Sequence, residues 1–168
     1  PKDVLIVANE FGPNSLDIHT VGANRPSYGV SWLAYDRLMT YGKRTLLDGR
    51  VAYDRNKLEP ELAESWAVAP DGNSVTFKLR KDVKFQNGEP FNSQTVKYSF
   101  TRAAAEKSTN KDKRLFQSMA FIGTPDAATV VIGMKTIEPD LLFLLGQATA
   151  IMVEPKSVAG NNSQPVGT

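Results

Sequence analysis

With 168 residues, 41% of them hydrophobic and 23% charged, the chain is long enough for one domain with its own core. A net charge of +2 is too small to direct it to nucleic acid or to a charged membrane surface. The lack of cysteine excludes disulfides, thiolate metal sites and a cysteine nucleophile, and no apolar run reaches the roughly 18 residues a membrane-spanning helix needs.

Val4-Leu5-Ile6-Val7-Ala8 has the length and composition of a buried strand. Residues 9–24 are broken by Gly12-Pro13-Asn14-Ser15, Gly22 and Asn24 and read as loop. Ser27 to Met39 reads as a helix with Pro26 and Ser27 at its start, Val30, Leu33, Ala34 and Leu38 forming its apolar stripe and Trp32, Tyr35 and Met39 widening it. Tyr41 to Lys57, with Gly42, Asp48-Gly49 and Asp54, reads as a turn-rich surface excursion.

The strongest pattern follows, from Leu58 to Arg102. Val75, Phe77 and Leu79 alternate with Thr76, Lys78 and Arg80, the period of a strand with one buried face. Pro70-Asp71-Gly72-Asn73 is a turn by its chemistry, so Ser65–Ala69 is expected to pair with Ser74–Arg80 as a hairpin. Val83 and Phe85 extend the alternation until Asn87-Gly88-Glu89-Pro90 stops it. Asn92 stands where it can cap a helix whose Val96, Ser99, Phe100, Ala103 and Ala104 share one face.

Residues 106–114 form a charge run that reads as a solvated loop. Leu115, Phe116, Met119 and Ala120 suggest a short helix, Thr129–Met134 a strand, Pro139–Gly146 a short helix and Ile151-Met152-Val153 a last short strand. From Val158 the chain is rich in Asn, Ser, Gly and Pro and stops at Thr168 without a closing element.

Residue chemistry offers little to an enzyme. His19 is the only histidine, and a hydrolase would have to pair it with Asp17. No His/Asp/Glu set has metal-ligand spacing, and no glycine pattern matches a phosphate loop. Glu59, Glu61 and Glu64 read as the wet face of one turn. A binding role and a scaffolding role both remain open on these grounds.

Motifs spread along the chain carry a resemblance. Ala63-Glu64-Ser65-Trp66, Asp71-Gly72, Phe77-Lys78-Leu79-Arg80, Val83-Lys84-Phe85, Gly88-Glu89-Pro90-Phe91 and Tyr98-Ser99 fall in one register. Together they resemble the signature of the family 5 extracellular solute-binding proteins, the receptors of peptide/nickel-type ABC transporters. Asn14-Ser15-Leu16-Asp17 is similar to the family's SLDP turn, with Ile18 in place of proline, and Tyr35-Asp36-Arg37-Leu38 to its YEGL segment. Thr129–Lys135 and Pro165-Val166-Gly167-Thr168 also match, whereas Ser93-Gln94-Thr95 lacks the acidic start of the signature helix and Tyr41–Lys57 is longer than usual.

The resemblance implies a mixed α/β (α+β) chain, part of a two-lobed periplasmic-binding-protein-like fold and mainly the β-rich subdomain inserted in lobe I. Residues 1–30 would begin lobe I, 31–158 form the insertion, and 159–168 return to lobe I, with lobe II absent from this truncated N-terminal piece. It implies the substrate-binding component of an ABC importer, periplasmic or extracellular and lipid-anchored, and not an enzyme. Its partners would be permease subunits and a small solute: a peptide foremost, with a nickel complex, an opine or a sugar as alternatives. No cofactor, resident metal or nucleic acid is expected, and contact with the membrane only through the permease or a removed lipid anchor. A scaffold module, or a hydrolase using His19, are the rival readings. Ligand contact is assigned to the loop after the SLDP-like turn, at Val21, Gly22, Ala23, Asn24 and Arg25, and to Phe116, for which a plain core role is the alternative.

Overall fold

The computed structural model describes residues 3, 8, 10–19, 23–158 and 166–168. The strand expected over Val4–Ala8 therefore lies outside the described residues apart from Ala8, as does most of the return segment.

The expected hairpin organises the fold. Strands β3 (Ala63–Val68) and β4 (Ser74–Leu79) pair antiparallel, with Trp66 opposite Phe77 and Val68 opposite Val75. The turn works as its residues dictate: the Asp71 carboxylate accepts from the Asn73 amide at 3.0 Å, and Gly72 takes a φ of 71°. Val75, Phe77 and Leu79 are buried, and β4 lies inside a four-stranded antiparallel sheet of order β3-β4-β6-β5. Strand β6 (Thr129–Met134) lies between β4 and β5 and is buried along almost its whole length, as its apolar run requires, and β5 (Met119–Asp126) forms the far edge. Helix α2 (Ser93–Ala104) lies over the sheet with Val96, Ser99, Phe100 and Ala103 buried. Its start is a complete capping box: Asn92 Oδ1 accepts from the Gln94 and Thr95 amides, and the Thr95 hydroxyl accepts from the Asn92 amide at 3.1 Å. A hydroxyl thus does the work of the missing carboxylate.

Helix α1 spans Arg25–Ala34, not Ser27–Met39, and the 30/31 boundary drawn from the sequence falls inside it. Its buried face is Ser27 and Ser31; Leu33 is 84% exposed and Val30 is exposed too. Leu38 and Met39 are fully buried, but from the extended segment after the helix. The excursion expected over Tyr41–Lys57 is a β-hairpin of β1 (Met39–Thr45) and β2 (Val51–Pro60), turning at Asp48-Gly49. It escaped the alternation test because most of its side chains are exposed on both faces, so no apolar period exists to be read. Helix α3 is only Lys113–Gln117, and Met119 and Ala120 already belong to β5. Val83 and Phe85 make no strand, only an isolated bridge of Lys84 with Pro90, although Phe85 is buried. Helix α4 (Leu141–Leu145) occurs as expected. Ile151-Met152-Val153 is buried and extended but joins no ladder: the Met152 amide bonds the Asp36 carbonyl, and the Val153 amide bonds the Ser99 hydroxyl.

Two cores result. The larger lies between the sheet and helices α2, α3 and α4, and includes Phe77, Phe100, Ile132, Leu145 and Met152. Each large side chain buried there stabilises the fold by about 1.5–3 kcal/mol. A smaller cluster of Ile18, Tyr35, Ile151, Val153 and Val158 docks the N-terminal segment. That docking is reinforced by charge: Arg102 of α2 grips Asp17 with two bonds, at 2.7 and 2.5 Å. The Arg37 guanidinium and amide both bond the Glu61 carboxylate, each at 2.6 Å, fixing the start of the β1–β2 hairpin.

Candidate functional site

A concavity opens where α1, the β1–β2 hairpin, the loop before α3 and the end of α4 converge. It encloses about 650 Å³, a size suited to a small solute. Tyr28 and Trp32, four residues apart on α1, stand on one face of the helix. Tyr41 from β1 stacks nearly parallel to Trp32, with centroids 6.1 Å apart and planes at 22°. Tyr53 from β2 meets the Trp32 edge at 5.4 Å and accepts its indole N–H at 2.7 Å. Phe143 of α4 lies 5.1 Å from Tyr41, whose hydroxyl donates to the Phe143 carbonyl at 2.8 Å. The result is a wall of rings from four elements, in which Trp32, Tyr41, Tyr53 and Phe143 each touch another ring.

Arg37 braces that wall from behind. Its buried guanidinium sits 4.2 Å from the Trp32 ring centroid, a cation–π contact, while Glu61 neutralises it. Burial holds the Glu61 carboxyl above its ordinary range, and Arg37 offsets that only in part. Glu61 is thus the partly buried partner of Arg37, whereas Glu59 pairs with Lys57 at the surface.

The polar part of the lining is cationic: Arg25, Arg55 and Lys111, with Gln147 as the neutral member. Lys111 is compensated by Asp112 at 3.6 Å and bonds Gln147 at 3.3 Å. The charge run here is no free loop, because Asn110 is buried and donates to the Thr149 carbonyl, and the Thr149 hydroxyl bonds Asp112 at 2.6 Å. Burial, and then Asp112, raise the Tyr28 hydroxyl above its ordinary range. Burial also raises Tyr41, against which Arg55 and then Arg37 pull downward.

Of the ligand contacts expected from the sequence, Arg25 lines this cleft. Val21 and Gly22 lie outside the described residues. Ala23 packs against the small N-terminal cluster. Asn24 caps α1, accepting from the Ser27 amide at 3.1 Å and hydroxyl at 2.7 Å, and donates to the Gly12 carbonyl. Phe116 lies in the main core, 5.2 Å from Phe100, away from the cleft. The rest of the lining was missed, although Tyr28 and Trp32 one helical turn apart, directly after Arg25, were a legible signal.

The histidine relay fails on geometry. Asp17 turns its carboxylate to Arg102 and to the His19 backbone amide, not to the ring. His19 is buried without a ring hydrogen bond of good geometry, and its pKa falls to about 4. Burial is the main cause and Arg102 the second; Asp17 and the Thr149 backbone oppose them weakly. Among the described residues no cluster of His, Asp and Glu is arranged to hold a metal ion, and no helix is long and apolar enough to cross a membrane.

Against this geometry, the profile of the bacterial extracellular solute-binding proteins, family 5 middle region, matches residues 57–168. The chain belongs to this family. A putative ABC transporter peptide-binding protein of Brucella ovis is 34% identical over 152 residues, covering 83% of this chain and 27% of its own. The glutathione-binding protein GsiB of Escherichia coli K12 is 31% identical over 140 residues, covering 80% of this chain and 27% of its own. Among solved structures, the binding protein AgaA from A. tumefacien R10, in complex with agropinic acid, superposes with a TM-score of 0.76 at 29% identity. That match covers 93% of this chain and 30% of AgaA. This family 5 chain therefore spans under a third of the length of the relatives it matches. Its mixed α/β architecture is that of the corresponding part of such two-lobed proteins, and the matched residues 57–168 take in the β3–β4 hairpin and α2 together with the Lys111, Phe143 and Gln147 side of the cleft.

Proposed function

We propose that the full-length protein is the substrate-binding component of an ABC importer, which captures a peptide or similar small solute outside the cytoplasmic membrane and delivers it to a permease. The observation that carries this reading is the aromatic and cationic cleft on a chain of the family 5 solute-binding proteins. The named relatives bind peptide, glutathione or agropinic acid, which fits a cleft of this size. A binding role without catalysis is favoured because the sole histidine is buried and its carboxylate neighbour is taken by Arg102. A periplasmic or surface-anchored location follows from the same reading.

In this reading the chain supplies one wall, and the remainder of the relatives' length supplies the facing one. Titration calorimetry of the full-length protein against pooled di- and tripeptides, nickel salts and opines is expected to give a saturable heat with at least one pool. No heat with any pool would overturn the assignment. The 168-residue chain alone is expected to bind the same ligand at least about 100-fold more weakly, since a half-site loses the contacts and the water exclusion of closure.

A further inference from the structure

The cleft's charge is unbalanced, and the imbalance has a structural origin. Among the described residues no acidic side chain lines it, and the nearby Asp112 is already engaged by Lys111 and the Thr149 hydroxyl. Among the described residues, neither Arg25 nor Arg55 has an ion-pair or hydrogen-bond partner. Two uncompensated guanidinium groups thus face one concavity walled by rings. Guanidinium forks match carboxylate oxygens two by two, and lose less hydration on pairing than an ammonium group does.

Arg55 reaches the cleft because β2 is bulged. The ladder runs Tyr41 opposite Leu58 and then jumps to Gly42 opposite Asp54, so residues 55–57 have no partner in β1. The extra residues cross the other strand at Gly42, where a Cβ would lie 2.8 Å from Lys57 Cδ and close to two further carbons of that side chain. Gly42 therefore makes room for the bulge, and the bulge re-aims Arg55. Its charge is felt in the cleft, since Arg55 is the chief influence drawing the Tyr41 hydroxyl down.

We propose that the solute of this cleft is a small carboxylate-bearing molecule, its carboxylate taken by Arg55 of the β2 bulge with Arg25 contributing, and its body laid against the Tyr28–Trp32–Tyr41 wall. This rests on the solute-binding reading and narrows it to one chemical class. Arg55 is the specificity residue, and Gly42 a positioning residue for it.

The test uses the full-length protein and titration calorimetry with di- and tripeptide pools, each prepared with free C-terminal carboxylates and as C-terminal amides. Maltose and nickel(II) chloride are the probes without a carboxylate. The expected result is binding of the acid pool with the amide pool at least about 10-fold weaker. Arg55→Gln is expected to weaken the acids by about 10- to 100-fold while leaving the amides and the melting temperature unchanged. Gly42→Val is expected to reproduce the loss for acids, with Gly42→Ala intermediate. Equal binding of acids and amides, or an unchanged acid affinity in Arg55→Gln, would overturn the carboxylate assignment and leave solute binding standing. Binding of maltose or nickel alone would do the same, whereas binding of no probe would overturn both readings.

Discussion

The β3–β4–α2 unit and the cleft wall of α1 and the β1–β2 hairpin lie side by side in one chain and differ in what holds them. The first is set by burial: Phe77, Phe100 and Val96 are almost wholly inside, and the alternation and capping that place them are written in consecutive residues. The second is set by a few long-range polar contacts, such as Trp32 with the exposed Tyr53 and the buried Arg37 with the partly buried Glu61. Family membership is readable in the first region, and the proposed recognition belongs to the second. A core that tolerates little change presents a wall that can vary, because altering an exposed strand face costs little stability.

The largest effect should come from the core side of that contrast. Phe77 is fully buried on β4, between β3 and β6, and belongs to the main cluster. Phe77→Ala is expected to cost about 3–5 kcal/mol in urea unfolding. At temperatures where the variant remains folded, solute affinity should match the parent protein. An affinity loss as large as the stability loss would mean that the two regions are not separable.

His19 gives the next largest effect, at the seam between the regions. Its folded-state pKa of about 4 lies below the ordinary 6.5, so the folded protein resists protonation more than the unfolded chain does. Stability is therefore complete above pH 6.5 and is lost as pH falls toward 4. The loss should amount to about 3 kcal/mol at 1.36 kcal/mol per unit of pKa. His19→Leu is expected to flatten the profile in that window, as read from urea midpoints at successive pH values. An unchanged slope would show that the ring becomes protonated without opening the docked N-terminal segment.

What could be read from the sequence follows the same division. Elements with one buried face carry a period, so β4 and α2 were legible, while β6 and α4 showed as apolar runs and β3 followed from the turn; the Asn92 cap was legible too. The β1–β2 hairpin has no such face, and α1 buries two serines in place of an apolar stripe. Leu33 was placed in that stripe on its hydrophobicity and stands in solvent instead. Of the cleft, Arg25 was assigned from the sequence and only the Tyr28–Trp32 spacing beside it was further legible, because the other residues come from elements up to about 120 positions away, as Gln147 is from Tyr28. No local pattern records that Asn110 and Asp112 are stapled to Thr149, which turns a charged run into a supporting loop.

The smallest effect on stability should separate the two regions most cleanly. Tyr53 is 46% exposed, and its hydroxyl is the acceptor that ties the Trp32 indole to the hairpin. Tyr53→Phe keeps the ring and removes that one bond, so the global cost should be about 0.5–1 kcal/mol or less. The hairpin, lacking a core of its own, should feel the change locally: hydrogen exchange of the residue 51–57 amides should quicken while β3 and β4 stay unchanged. Trp32 can be followed alone in a Trp66→Phe background, since the chain has two tryptophans. Its emission should shift as the indole N–H turns to water, and solute affinity should fall severalfold because Arg55 is carried on the same strand. If exchange quickened equally across β3–β4, the cleft wall and the scaffold would be one cooperative unit, and the division between them would fail.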